Sequence, residues 1–135
     1  MNLADILARH KGREGPLLPI LHDVQAEFGH VSEDHIRAIA HELNLTRAEV
    51  HGVVSFYHDF KTYPDTRPVL KLCRAEACQA RGVDALAAML PADGRVKIET
   101  VYCLGLCSVG PAAMSGTDVH ARLDAKKLDA LVNTL

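Results

Sequence analysis

Cysteine occurs four times in 135 residues, and always in pairs: Cys73 and Cys78 in CRAEAC, Cys103 and Cys107 in CLGLC. Each pair follows an apolar run with strand character. VLKLC (69–73) leads into the first and RVKIETVYC (95–103) into the second. If the two strands are neighbours, both following loops leave one edge of the sheet and four thiols meet there. No other feature limits the fold as tightly, because bringing the four thiols together would need a sheet with these two strands side by side. The 24 residues between Cys78 and Cys103 include GVDALAAML, a helical pattern that ends before Pro91.

The remainder of this half completes a small layer. PAAM and DVHARL are short strand candidates separated by Ser115-Gly116-Thr117, a hairpin turn, and Asp124 caps a last helix, AKKLDALVNTL. The order β-α-β-β-β-α predicts about four strands with two helices. The first half obeys a different grammar. LADILARH is a short helix. PLLPILHDVQAEFG places Leu17, Leu18, Leu21, Val24 and Phe28 at helical spacing, with Pro16 suited to the first turn and Gly29 to the stop. Ser32 opens the next helix, with Glu33 and Asp34 at its positive end, and Thr46 with Glu49 forms a capping box for another. KTYPDTRP, with two prolines and an aspartate, is a linker between the halves. The expected organisation is therefore α+β, with a helical bundle over 1–64 and an α/β domain over 65–135.

Composition excludes several classes. The net charge is −2 and no basic run occurs, which speaks against a nucleic-acid footprint. No run of eighteen apolar residues exists, so no membrane insertion is expected. MNLADILARHKGREG lacks the apolar stretch of a secretory signal, and a cytoplasmic setting is expected. There thiols stay reduced, which favours a metal over disulfides. HELNLTRAEVH is not H-E-x-x-H, and neither a G-x-S-x-G nor a glycine-rich nucleotide loop appears, so no catalytic residue is expected. His51 and His58 lie seven apart in HGVVSFYH and could share a helix face, where a packed or solvated pair is the simpler reading than a metal site.

Five readings compete for the cysteines. Disulfides fit poorly with a reducing compartment, and a thioredoxin-type redox pair needs C-x-x-C, which neither pair has. A structural zinc takes four cysteines but usually from tighter knuckles. Plain apolar packing conflicts with two pairs in polar or glycine-rich loops. A [2Fe–2S] cluster needs two thiolates on each of two irons, which pairs three or four residues apart can supply. Such a site is an anion that gains a further negative charge on reduction. Gly105 and Gly110 allow close backbone approach, Pro111 stiffens the exit, Arg74 and Arg81 flank the first pair, and a helix beginning near Gln79–Gly82 would point its positive end at Cys78.

The C-x4-C … C-L-G-x-C pattern with a following proline resembles the thioredoxin-like [2Fe–2S] ferredoxin family. That family includes the 24-kilodalton subunit of respiratory complex I and its counterparts in NAD-reducing hydrogenases and formate dehydrogenases. The likeness covers nearly the whole chain: the helical region from PLLPILHDV to SFYHDF, then VLKLCRAEACQARG. CRAEACQ and the short span between the pairs look most like the gamma subunit of soluble NAD-dependent, molybdenum-containing formate dehydrogenases. The resemblance implies a thioredoxin-like domain with one [2Fe–2S] cluster on Cys73, Cys78, Cys103 and Cys107. It also implies a non-catalytic, electron-transferring role beside an FMN- and NAD(H)-binding flavoprotein subunit. Two alternatives stand: the equivalent subunit of an NADH:quinone oxidoreductase or NAD-reducing hydrogenase, and, in another class, a zinc-stabilised interaction domain. Phe28, Phe56, Tyr57, Phe60 and Tyr63 all lie in the helical half, more apolar surface than a small bundle can bury, so part of HGVVSFYHDF is expected to dock on a partner or on the cluster domain.

Overall fold

Local chemistry sets the helix starts in the computed structural model, which describes residues 1–135. α1 (Leu3–Arg9) begins where the Asn2 side chain accepts from Asp5 N and Asp5 answers the Asn2 N–H. α2 (Leu17–Phe28) follows Pro16, which is the N-cap rather than a residue of the first turn, and ends at Gly29, whose φ of 78° lies in the left-handed region that favours glycine. α3 (Glu33–Leu43) carries an unusual box: Ser32 Oγ accepts from His35 N, and the Ser32 N–H donates to His35 Nδ1 at 3.1 Å. α4 (Arg47–Phe56) has the predicted Thr46/Glu49 box, with Thr46 N donating to Glu49 Oε2 at 2.7 Å.

The chain divides into two compact units, Met1–Thr66 and Arg67–Leu135. In the first, Ile6, Ile20, Leu21, Val24, Ile36, Ile39 and Val50 form a sealed core with Val54 and Phe60. At α1's end, His10 Nε2 donates to Asp23 Oδ2 at 2.6 Å and Arg9 reaches the same oxygen at 2.9 Å, which ties α1 to α2. Gln25 secures the segment after α4: its amide bonds the Asp59 carbonyl, and its carbonyl accepts from Lys61 N at 2.7 Å. Phe60 is buried, but Phe56 is 73% exposed, and Tyr57 and Tyr63 are also exposed. α4 stops at Phe56, so His51 and His58 share no helix face; His51 lies 3.8 Å from Glu33 Oε1.

The second unit is a four-stranded sheet in the order β2-β1-β3-β4. β1 (Val69–Cys73) lies parallel to β2 (Lys97–Val101), and β3 (Ala113–Ser115) pairs antiparallel with β1 and with β4 (Asp118–His120). Between β1 and β2 run two short helices, α5 (Glu76–Ala80) and α6 (Val83–Ala88). α7 (Ala125–Thr134) closes the chain, with Asp124 accepting from Lys127 N at 2.8 Å. Leu70, Leu72, Val83, Ala113, Leu128 and Val132 form its core. The arrangement is the expected α+β, thioredoxin-like one. The alternation of β2 departs from expectation: Ile98 faces the same way as its partner Leu70 yet is 37% exposed. β2 is an edge strand, with no further strand beyond it, and it meets the core through Val101 rather than Ile98. No helix is long and apolar enough to cross a membrane.

Candidate metal centre

The parallel register sets Cys73 opposite Val101 at the carboxyl ends of β1 and β2. Both strands therefore release their chains at one edge, as the cysteine spacing requires. The end of β1 is held on both sides: Cys73 N donates to Ala112 O at 3.0 Å, and Arg74 N donates to Val101 O at 2.9 Å. Two details differ from the sequence reading. Cys78 sits within α5, not ahead of a helix starting near Gln79, and α6 begins only at Val83. Cys73 and Cys78 are also core residues, each 2% exposed, whereas Cys103 and Cys107 are exposed. Position alone thus separates only the second pair from ordinary apolar packing.

Cys103 lies two residues past the end of β2 and takes φ of 81°, left-handed backbone that costs a non-glycine residue of order 1–3 kcal/mol and persists where surroundings enforce it. Its N–H donates to Cys73 Sγ at 3.3 Å, across the two pairs. The Gly105 N–H reaches Cys103 Sγ at 3.4 Å. Cys103 Sγ and Cys107 Sγ are 3.5 Å apart, close to the roughly 3.7 Å that two thiolates span on one tetrahedral metal with bonds of about 2.3 Å. Cys107 opens a 3₁₀ turn (Cys107–Val109), and the exit is pinned by Arg122 N to Val109 O at 2.7 Å and Leu123 N to Pro111 O at 3.0 Å. No three His, Cys, Asp or Glu side chains converge on a single ion. The thiols come as two twos.

The thiols feel one another. Burial raises the Cys73 thiol, but N–H groups of Ala75, Cys103 and Leu104 and the Cys78 thiol outweigh it, leaving Cys73 below the ordinary thiol range. Burial, then the hydrogen bond with Cys73, pushes Cys78 up. The Cys103 contact, then its charge, raises Cys107. Charge on Cys107 reaches Cys78, and charge on Cys73 reaches Cys107, so all four belong to one electrostatic cluster. The Ala75 and Leu104 donors carry no sequence signal, because any residue but proline offers an N–H. Gly110 lets the backbone approach as its residue type suggests: a Cβ there would stand 3.1 Å from Cys78 Sγ.

These features fit a [2Fe–2S] group: four thiol donors in two pairs, N–H groups aimed at sulfur, and a cradle that a methyl group would fill. Comparison with known proteins agrees. The chain matches the thioredoxin-like [2Fe-2S] ferredoxin family over residues 3–135. It is 33% identical over 138 residues to an NADH-quinone oxidoreductase subunit from Rhizobium meliloti (strain 1021), covering 94% of this chain and 82% of that one. It is 30% identical over 122 residues to the NADP-reducing hydrogenase subunit HndA of Solidesulfovibrio fructosivorans, covering 82% and 71%. Among solved structures, the NAD+-reducing [NiFe]-hydrogenase in the H2-reduced state superposes with a TM-score of 0.73 at 28% identity, over 88% of this chain but only 22% of that one. The family match overturns the alternative of a zinc-stabilised interaction domain. The chain belongs to the thioredoxin-like [2Fe–2S] ferredoxin family, and its cofactor is one [2Fe–2S] cluster.

Proposed function

We propose that Cys73, Cys78, Cys103 and Cys107 hold the cluster and that the chain is a non-catalytic, electron-transferring subunit of an NADH-quinone oxidoreductase or NAD-reducing hydrogenase type of complex. One observation carries the ligand assignment: the in-register β1/β2 pair releases both cysteine loops at one sheet edge, where Cys103 N–H meets Cys73 Sγ. When bound, the cluster takes up and returns one electron at a time. The chain supplies what that requires. Buried Cys73 and Cys78 fix the inner side, N–H groups offset the negative charge, and Cys103 and Cys107 give the side that faces outward.

The partner in this reading is an FMN- and NAD(H)-binding flavoprotein subunit, in the cytoplasm. The helical domain, 1–64, supplies docking surface through exposed Phe56, Tyr57 and Tyr63, and the ferredoxin domain, 65–135, carries the site. CRAEACQ and the 24-residue span between the pairs favour one finer reading, a formate dehydrogenase host. The test is direct. Anaerobically purified protein should be red-brown, with about two irons and about two acid-labile sulfides per chain, and give a spin-half signal on reduction. Stoichiometric zinc without labile sulfide would sink the assignment. Co-expression with an FMN- and NAD(H)-binding flavoprotein subunit of the same organism should yield a complex in which NADH reduces the cluster, and the neighbouring genes would identify the host.

A further inference from the structure

Two arginines flank the first cysteine pair, and they keep different company. Arg74 is paired: its Nε and Nη2 lie 2.8 and 2.7 Å from Asp84 Oδ1. Arg81, the C-cap of α5, is exposed and has no carboxylate at ion-pair distance. Its stem borders the gap that Gly110 leaves open. The point where a Gly110 Cβ would stand is 3.4 Å from Arg81 Cδ and 3.1 Å from Cys78 Sγ. Stem and thiol are therefore neighbours across one methyl-sized space, and the guanidinium begins one bond beyond Cδ.

We propose that Arg81 sets the electron affinity of the site. Its unpaired positive charge offsets negative charge at Cys78 and its partners, and does so most in the reduced state, which carries one more negative charge. Arg74 directly follows Cys73 in the chain, but the carboxylate of Asp84 cancels most of its field at a distance. This inference rests on the assignment of the four cysteines as ligands. Gly110 is part of the device, because any side chain there would separate the arginine stem from the thiol.

The test is a redox titration of the full-length chain at low ionic strength, followed by the spin-half signal, after iron and labile sulfide have been counted. Arg81→Gln should lower the reduced-to-oxidised ratio at fixed potential by about threefold to tenfold, a midpoint shift of about 30–60 mV at 59 mV per decade. Arg81→Met, which keeps the stem's packing, should shift it equally, so the measurement survives if the Gln variant fails to load. Arg81→Lys should stay close to wild type. Arg74→Gln should move the midpoint far less, and the Arg81 shifts should shrink in about 1 M salt, where the screening length is near 3 Å. A shift shared by Arg81→Lys would make the role one of packing and overturn the inference, as would an equal shift in Arg74→Gln. A loaded wild type with unshifted Arg81 variants overturns this inference alone. A wild type without iron and labile sulfide overturns the ligand assignment and this inference with it.

Discussion

Gly110→Ala is the smallest change that reaches the metal centre without touching a sulfur. Gly110 has φ of −67° and ψ of 168°, which alanine adopts without strain. Chain entropy alone would then stabilise the folded state by about 0.4–1 kcal/mol. Against this, the new methyl would stand 3.1 Å from Cys78 Sγ, 3.4 Å from Arg81 Cδ and 3.7 Å from Cys78 Cα. Comfortable contact needs roughly 3.5–4.0 Å, so the sulfur must yield by a few tenths of an ångström. In the metal-free chain the Cys78 side chain can rotate slightly and the arginine stem can swing. The overpacking cost then sits near its lower end of about 1 kcal/mol, and the two effects nearly cancel. In the loaded chain the sulfur is tethered and cannot yield, so a cost of about 1–3 kcal/mol falls on that state alone. The expected result is metal-free stability within about 1 kcal/mol of wild type, but cluster loss to a chelator faster by roughly fivefold to thirtyfold, equivalent to about 1–2 kcal/mol. Anaerobic bleaching kinetics, with denaturant unfolding of the metal-free protein in parallel, measure both. Wild-type bleaching kinetics would refute the steric argument, and equal destabilisation of both forms would place the damage in the backbone instead.

Three further outcomes are expected. Replacing any one of Cys73, Cys78, Cys103 or Cys107 by Ala should abolish or severely destabilise the cluster, while His51→Ala and His58→Ala leave its visible spectrum unchanged; a histidine variant that bleaches the protein would reassign a ligand. His35 is held below the usual histidine value of 6.5, first by burial and then by the charge of His30, and its Nδ1 must stay unprotonated to accept the Ser32 N–H. The unfolded chain binds that proton more readily, so the stability His35 contributes is complete above about pH 6.5 and is lost as pH falls through the depressed folded value. His35→Gln keeps a capping-box side chain without the titration, so its denaturation midpoint should fall less between pH 7.5 and 5.5; parallel curves would count against the argument. Leu72→Ala, at a side chain 1% exposed in the middle of the sheet, should cost about 2–5 kcal/mol in denaturant unfolding, and a loss below about 1 kcal/mol would mean the core there is not packed as described.

What could be read from the residues was whatever rests on local chemistry. Ser32, Thr46 and Asp124 are caps because a short side-chain oxygen must meet free N–H groups, and each does. β1 is an apolar run and β3–β4 a hairpin, both visible in composition, although Ser115, read as a turn residue, belongs to β3 and leaves only Gly116-Thr117 to turn. The cysteine pairs were legible as a constellation because two strands and two spacings jointly require it. Long-range effects were not legible. Whether Ile98 is covered depends on β2 being an edge strand. The burial of Cys73 and Cys78 depends on what packs against α5 and the end of β1. Likewise, the left-handed backbone of Cys103 has no residue-type signature; it follows from having to turn an N–H back towards Cys73.

The unequal burial of the two cysteine pairs gives the site an order of events. Iron and sulfide arriving from solvent meet Cys103 and Cys107 first, because Cys73 and Cys78 are buried in the core. A reagent reaches Cys73 and Cys78 only through a local opening of the fold, whereas Cys103 and Cys107 are open to it directly. On the proposed ligand set, the side formed by Cys103 and Cys107 is therefore the one through which iron would enter and leave. A partner subunit seated over it would lock the cluster in as it connects it, so that the complex protects what the free chain can surrender.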